Sequence, residues 1–108
     1  MATDRIYMLN ALWFKGENGQ SRYAEYAAAA GPFVTALGGR FVDGYAPDLA
    51  VIGKWDPDLF FIVEWPSWEA FIALGQDAGY RKIAHLREEA IEKSLLIRCR
   101  RTSVQSQS

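Results

Sequence analysis

Arg87, Glu64 and Asn10 are the polar residues of this sequence that stand where the local pattern calls for an aliphatic side chain, which makes them the first candidates for chemistry. Burying such a group costs several kcal/mol unless it finds a partner. Arg87 falls on a helical stripe with Tyr80, Ile83, Ala84 and Ile91. Glu64 shares a strand face with Phe60 and Ile62, and Asn10 stands between Met8 and Leu12 on another. One reading joins Glu64, Arg87 and Arg40 into the polar floor of a pocket, where a guanidinium holds a carboxylate or an enolate oxygen. The other makes Glu64 and an arginine a structural ion pair closing one end of the fold. Asn10 has the same two sides: it can hydrogen-bond a bound carbonyl, or satisfy a bulge or a water in the core.

His85 is the only histidine and the one side chain that ordinarily titrates near neutrality, so with Glu64 and Arg87 it completes the catalytic candidates. It has no neighbouring metal ligand between Ala84 and Leu86, so a surface or rim position is expected, with no metal and no cofactor. Tyr23, Tyr26, Tyr45 and Tyr80 are expected to cap the core with hydroxyls reaching water, though such crowding also suits a flat organic ligand. Asn10, Tyr26, Arg40, Glu64, Tyr80 and Arg87 thus form the candidate ligand-binding set. Cys99 alternates with Leu95 and Ile97 and reads as core.

These side chains need elements to position them. Residues 5–14 are apolar on both alternating sets, Ile6, Met8, Leu12 and Phe14 on one side and Tyr7, Leu9, Ala11 and Trp13 on the other, which predicts a strand covered on both faces. A Gly16-Glu17-Asn18-Gly19 turn leads into a helix that ends at Gly38-Gly39, with a kink or break expected near Gly31 because Pro32 removes a hydrogen bond to Ala28. Residues 40–45 and 49–55 read as one bent strand or two short ones. A type I turn at Asp56-Pro57-Asp58 then starts a strand over residues 59–65, and Ser67 is the N-cap of a helix that breaks near Gly75. That helix restarts from an Asp77 cap and runs to about Lys93, and residues 95–101 form the last strand.

Strand, helix, strand, strand, helix, strand with right-handed crossovers gives an α+β, ferredoxin-like βαββαβ fold, with both helices on one side of a four-stranded antiparallel sheet. The first and third strands are central, and no further helix exists to cover their second apolar face. A homodimer through the sheet faces is the expected solution.

At 108 residues the chain is read as one domain over residues 1–101, followed by a polar disordered tail over residues 102–108. A net charge of −1, with Arg98, Arg100 and Arg101 as the only dense basic cluster, argues against nucleic acid. No apolar run is long enough to span a bilayer, so no membrane contact is expected. One cysteine excludes an internal disulfide, and the start Met-Ala-Thr-Asp-Arg lacks the apolar segment of a secretion signal, so the expected location is cytoplasmic.

Tyr23, Tyr26, Pro32, Gly38-Gly39-Arg40-Phe41, Trp55, Val63-Glu64-Trp65-Pro66-Ser67, Glu69-Ala70, Tyr80 and Leu86-Arg87 fall where the recurrent residues of one bacterial family stand. Over residues 7–98 the chain resembles that family, called domain of unknown function 1330, within the dimeric α/β barrel superfamily. The resemblance implies two ferredoxin-like subunits packed sheet to sheet and carries no reaction with it. The superfamily also holds cofactor-free monooxygenases and haem-degrading enzymes, and the latter use a strand Asn, a helix Trp and a helix His. Asn10, Trp68 and His85 are present, but aligning Glu69-Ala70-Phe71 puts Leu74 and Ala84 at the Trp and His positions, turning His85 away by about 100°.

The sequence therefore leads to a homodimeric protein that binds a small organic molecule between sheet and helices. The alternative is a cofactor-independent monooxygenase-like or isomerase-like enzyme acting on a small carbonyl or phenolic compound, with Arg87 and Arg40 stabilising charge and Glu64 or His85 carrying the proton.

Overall fold

The computed structural model describes residues 5–102 and follows the order β1 (Ile6–Phe14), α1 (Gly19–Ala36), β2 (Arg40–Tyr45), β3 (Leu59–Trp65), α2 (Trp68–Gln76), α3 (Ala78–Ile83), α4 (His85–Ala90) and β4 (Ile91–Cys99). The sheet runs β2-β3-β1-β4 with every neighbouring pair antiparallel, so β1 and β3 are central. This is the ferredoxin-like βαββαβ arrangement, its second helix divided into three pieces. The tail expected from residue 102 lies, from residue 103 onward, outside the described residues.

Helix α1 passes Pro32 as one element, without the break that was one of the two outcomes expected near Gly31. Pro32 and Ala28 both sit on the exposed side, where water can satisfy the carbonyl that the proline leaves without a donor. The helix stops where the glycine pair demands. Gly38 donates to the carbonyl of Thr35 and Gly39 to that of Val34, each at 2.9 Å, with Gly38 at φ 90°. This paired arrangement uses the left-handed conformation that glycine adopts without a steric penalty.

Residues 49–55 form no strand. Strand β2 is an edge that pairs with β3 alone and slips register between Phe41 and Gly44, and beyond Tyr45 the chain has no ladder to join. Leu49, Val51 and Ile52 stand 78%, 85% and 93% exposed on the resulting loop. Its far end is pinned to β1 rather than closed by a simple turn. The Asp58 N–H donates to the Leu12 carbonyl at 2.8 Å, and the Asp58 and Asp56 carboxylates accept from the Phe14 N–H at 2.7 Å and the Trp13 indole at 3.0 Å.

Ser67 and Asp77 cap α2 and α3 as their residue types dictate, accepting from the N–H groups of Ala70 at 3.1 Å and Tyr80 at 2.9 Å. The break falls at Asp77, just past Gly75, and the chain restarts as a helix from the expected Asp77 cap. The last strand begins at Ile91, four residues before its expected start. A register shift that skips Glu92 of β4 between Trp13 and Phe14 lets Ile91 lie opposite Phe14, and the sheet takes residues that the helical period also accommodates.

The core lies between helices and sheet, where Met8, Trp65 and Leu74 are buried together against Phe33, Val34, Val63 and Phe71. On the opposite face Leu9 stands between Ile62 and Ile97 in the ladder, and Ala11 between Phe60 and Leu95. The rings packed on Phe60 there, Tyr45 and Trp55, come from the edge strand and the following loop, and Ile97 is 44% exposed. Among the described residues no helix is long and apolar enough to cross a membrane.

Candidate functional site

A cavity of about 1140 Å³ opens between the helix-facing side of the sheet and the helices. Strand alternation decides its floor: Met8 and Asn10 of β1 and Phe61 and Val63 of β3 point the same way. Helix α1 contributes Tyr23 and Tyr26, one turn apart, α3 contributes Tyr80 and α4 contributes Arg87. The rings form a continuous wall, with centroid separations of 5.4 Å for Tyr23 and Tyr26, 6.5 Å for Tyr23 and Phe61, and 5.1 Å for Phe61 and Phe41.

Polar groups are few and they converge. The phenolic oxygens of Tyr26 and Tyr80 are 2.7 Å apart, tying α1 to α3. Burial pushes the Tyr23 phenol up to about 12, against the positive charge of Arg87, which favours ionisation; nearby Tyr80 adds to the rise. Burial raises the Tyr26 phenol further still, reinforced by its hydrogen bond with Tyr80. Asn10 is half-buried and its amide donates to the Met8 carbonyl at 3.2 Å.

Arg87 is half-buried, and among the described residues no carboxylate lies within ion-pair distance of its guanidinium. The neighbouring Glu89 is taken by Arg22 at 3.5 Å. A guanidinium held against an aromatic wall without a counter-charge gives up the Coulomb energy that normally offsets its desolvation.

The structure does not assemble the expected floor of Glu64, Arg40 and Arg87. Val63 faces the cavity, so Glu64, one residue on, points to the other face of the sheet. There it is 7% exposed and meets Arg40 in a two-pronged contact, Nη2 to Oε2 at 3.0 Å and Nε to Oε1 at 3.3 Å. Arg5 and Arg101 stand further out, at 3.7 and 3.8 Å. Arg40 borders the cavity, but its guanidinium is turned to Glu64. The structural ion pair, one of the two readings of Glu64, is what the geometry contains.

His85 is the exposed first residue of α4 and does not line the cavity. Tyr45 is 55% exposed beside Phe60 on the far face. Cys99 is half-buried on that same face opposite Tyr7, not in the core, because strand alternation sets it with Leu95 and Ile97 on the side away from the helices. The structure thus gathers Asn10, Tyr26, Tyr80 and Arg87 and separates Glu64 and His85 from them. Phe61 joins the site unexpected, and so does Tyr23, which the sequence offers only as one of four crowded tyrosines and not in the candidate ligand-binding set. The three-residue step from Tyr23 to Tyr26 was the available signal for Tyr23.

A family model described as Domain of unknown function (DUF1330) matches residues 16–98. A protein of unknown function from Rhodopseudomonas palustris is 31% identical, with a TM-score of 0.85 over 95% of this chain and 86% of that one. A dimeric ferredoxin-like protein of unknown function from Jannaschia is 13% identical, with a TM-score of 0.67 over 89% and 98% of the two chains. A NIPSNAP family protein from Agrobacterium tumefaciens is 14% identical, with a TM-score of 0.69 over 97% and 92%. These last two likenesses concern the fold. No curated protein matches the chain.

Proposed function

We propose, from the premise that this chain belongs to the family described as Domain of unknown function (DUF1330), that it is a homodimeric protein binding a small organic molecule between sheet and helices. The observation that carries this reading is the cavity itself: about 1140 Å³, mostly apolar, with a few convergent polar groups on rigid elements. Binding is favoured over turnover because the two candidate proton carriers, Glu64 and His85, lie outside the cavity, and burial holds the Tyr23 and Tyr26 phenols in their neutral form.

The dimer is supported by the uncovered stripe of Leu9, Ile62 and Ile97, and by neighbours of the same fold that are described as dimeric. Burying such a stripe at about 25 cal/mol per Å² is a strong incentive to pair. Each subunit would contribute one ferredoxin-like domain over residues 1–101 and keep its own cavity. The half-buried free thiol of Cys99 fits a reducing, cytoplasmic setting.

Native mass spectrometry of protein purified from its own source tests both parts. The expected spectrum is a dimer carrying small-molecule mass that leaves on activation. A bare monomer would contradict the reading.

A further inference from the structure

The number and kind of polar groups in the cavity restrict what it can hold. Arg87 supplies one formal positive charge; among the described residues the only other arginine at the cavity edge, Arg40, is engaged by Glu64 at 3.0 Å on the far face. One cation matches one negative charge. A phosphate, with close to two, would be left under-compensated in an apolar cleft. The planar guanidinium fork fits the two oxygens of a carboxylate.

The tyrosine pair adds a donor. Each phenol has one proton, and the bond between Tyr26 and Tyr80 uses one of the two. The remaining hydroxyl proton is free for a third oxygen, whichever phenol donates within the pair. Tyr23 and Phe61, 6.5 Å apart in tilted contact, offer ring faces and edges for an aromatic body.

We infer that the ligand is an organic monoacid, a flat apolar body bearing one carboxylate held by Arg87 and by the free hydroxyl of the Tyr26–Tyr80 pair. This rests on the small-molecule reading above and adds the charge and shape of the molecule. Arg87 is a specificity-determining residue on this account: its uncompensated charge selects acids from their neutral and cationic isosteres.

Calorimetric titration of the full chain with 2-naphthylacetate, its amide and the corresponding 2-naphthylethylamine is the test. The acid is expected to bind at least tenfold more tightly than the amide, with the amine weakest. In Arg87→Met the preference for the acid should vanish while the amide still binds, and with both phenols removed in Tyr26→Phe/Tyr80→Phe the acid should weaken several-fold. The comparison among the three probes on the native protein needs no variant, so it holds even if Arg87→Met folds poorly. Equal binding of acid and amide, or an acid preference that survives in Arg87→Met, would overturn the inference and leave the small-molecule reading intact. Failure of all three probes, together with source-purified protein that carries no small molecule, would remove both.

Discussion

Tyr26 and Tyr80, 54 residues apart in sequence, hold their phenolic oxygens 2.7 Å apart and so join the first helix to the segment that leads to Arg87. That bond makes the cavity wall a unit rather than two independent helices, and it gives both phenols a partner away from water.

Alkaline titration should expose the burial of these rings. Of the five tyrosines, Tyr23 should ionise only near pH 12 and Tyr26 later still, so phenolate absorbance should rise in separated steps. A phenol that keeps its proton longer in the folded chain makes the unfolded chain the better acid. The part of the stability that Tyr23 controls is therefore level below pH 10, the ordinary phenol value, and is lost as pH rises through about 12. A single step with all tyrosines titrating near 10 would contradict the packing described.

Replacing Glu64 with Gln leaves Arg40, Arg5 and Arg101 facing one another across a nearly buried amide. The expected loss is about 1–2 kcal/mol, below the cost of breaking a fully buried pair because the arginines reach solvent. Thermal unfolding should report it, and affinity for a cavity ligand should stay unchanged because Glu64 lies on the other face.

Ile97 is the most accessible member of the uncovered stripe that flanks Leu9. Ile97→Lys should leave each subunit folded and shift sedimentation from dimer to monomer. A variant that still sediments as the native species would move the interface elsewhere.

Gly38 takes φ 90°, and a Cβ there would come within 2.9 Å of the Pro66 ring. Gly38→Ala should cost about 1–2 kcal/mol through the left-handed backbone and this contact. The measurable outcome is a lower midpoint in chemical denaturation with an unchanged slope.

The sequence was most legible where local chemistry acts alone. Ser67 and Asp77 cap their helices because a side-chain oxygen three residues before an N–H needs nothing else, and Gly38-Gly39 stops α1 for a similarly local reason. It was least legible where the outcome depends on a distant partner. Residues 49–55 have the apolar content of a strand, yet β3 begins at Leu59 and already meets the end of β2 at Phe60, so it offers no ladder beyond Tyr45. Glu64 was correctly grouped with Phe60 and Ile62, but alternation cannot say which face the helices cover when both are apolar. Once Met8, Phe61 and Val63 took the helix side, Glu64 could not share a cavity with Arg87.

The central claim is that the ligand lies between sheet and helices, beside Arg87. Methyl-labelled NMR during titration with 2-naphthylacetate tests it most directly. The expected shifts fall on Met8, Val63 and Leu74 inside the cavity, with Leu9, Ile62 and Ile97 on the opposite face unmoved. Shifts confined to Leu9, Ile62 and Ile97 would contradict it.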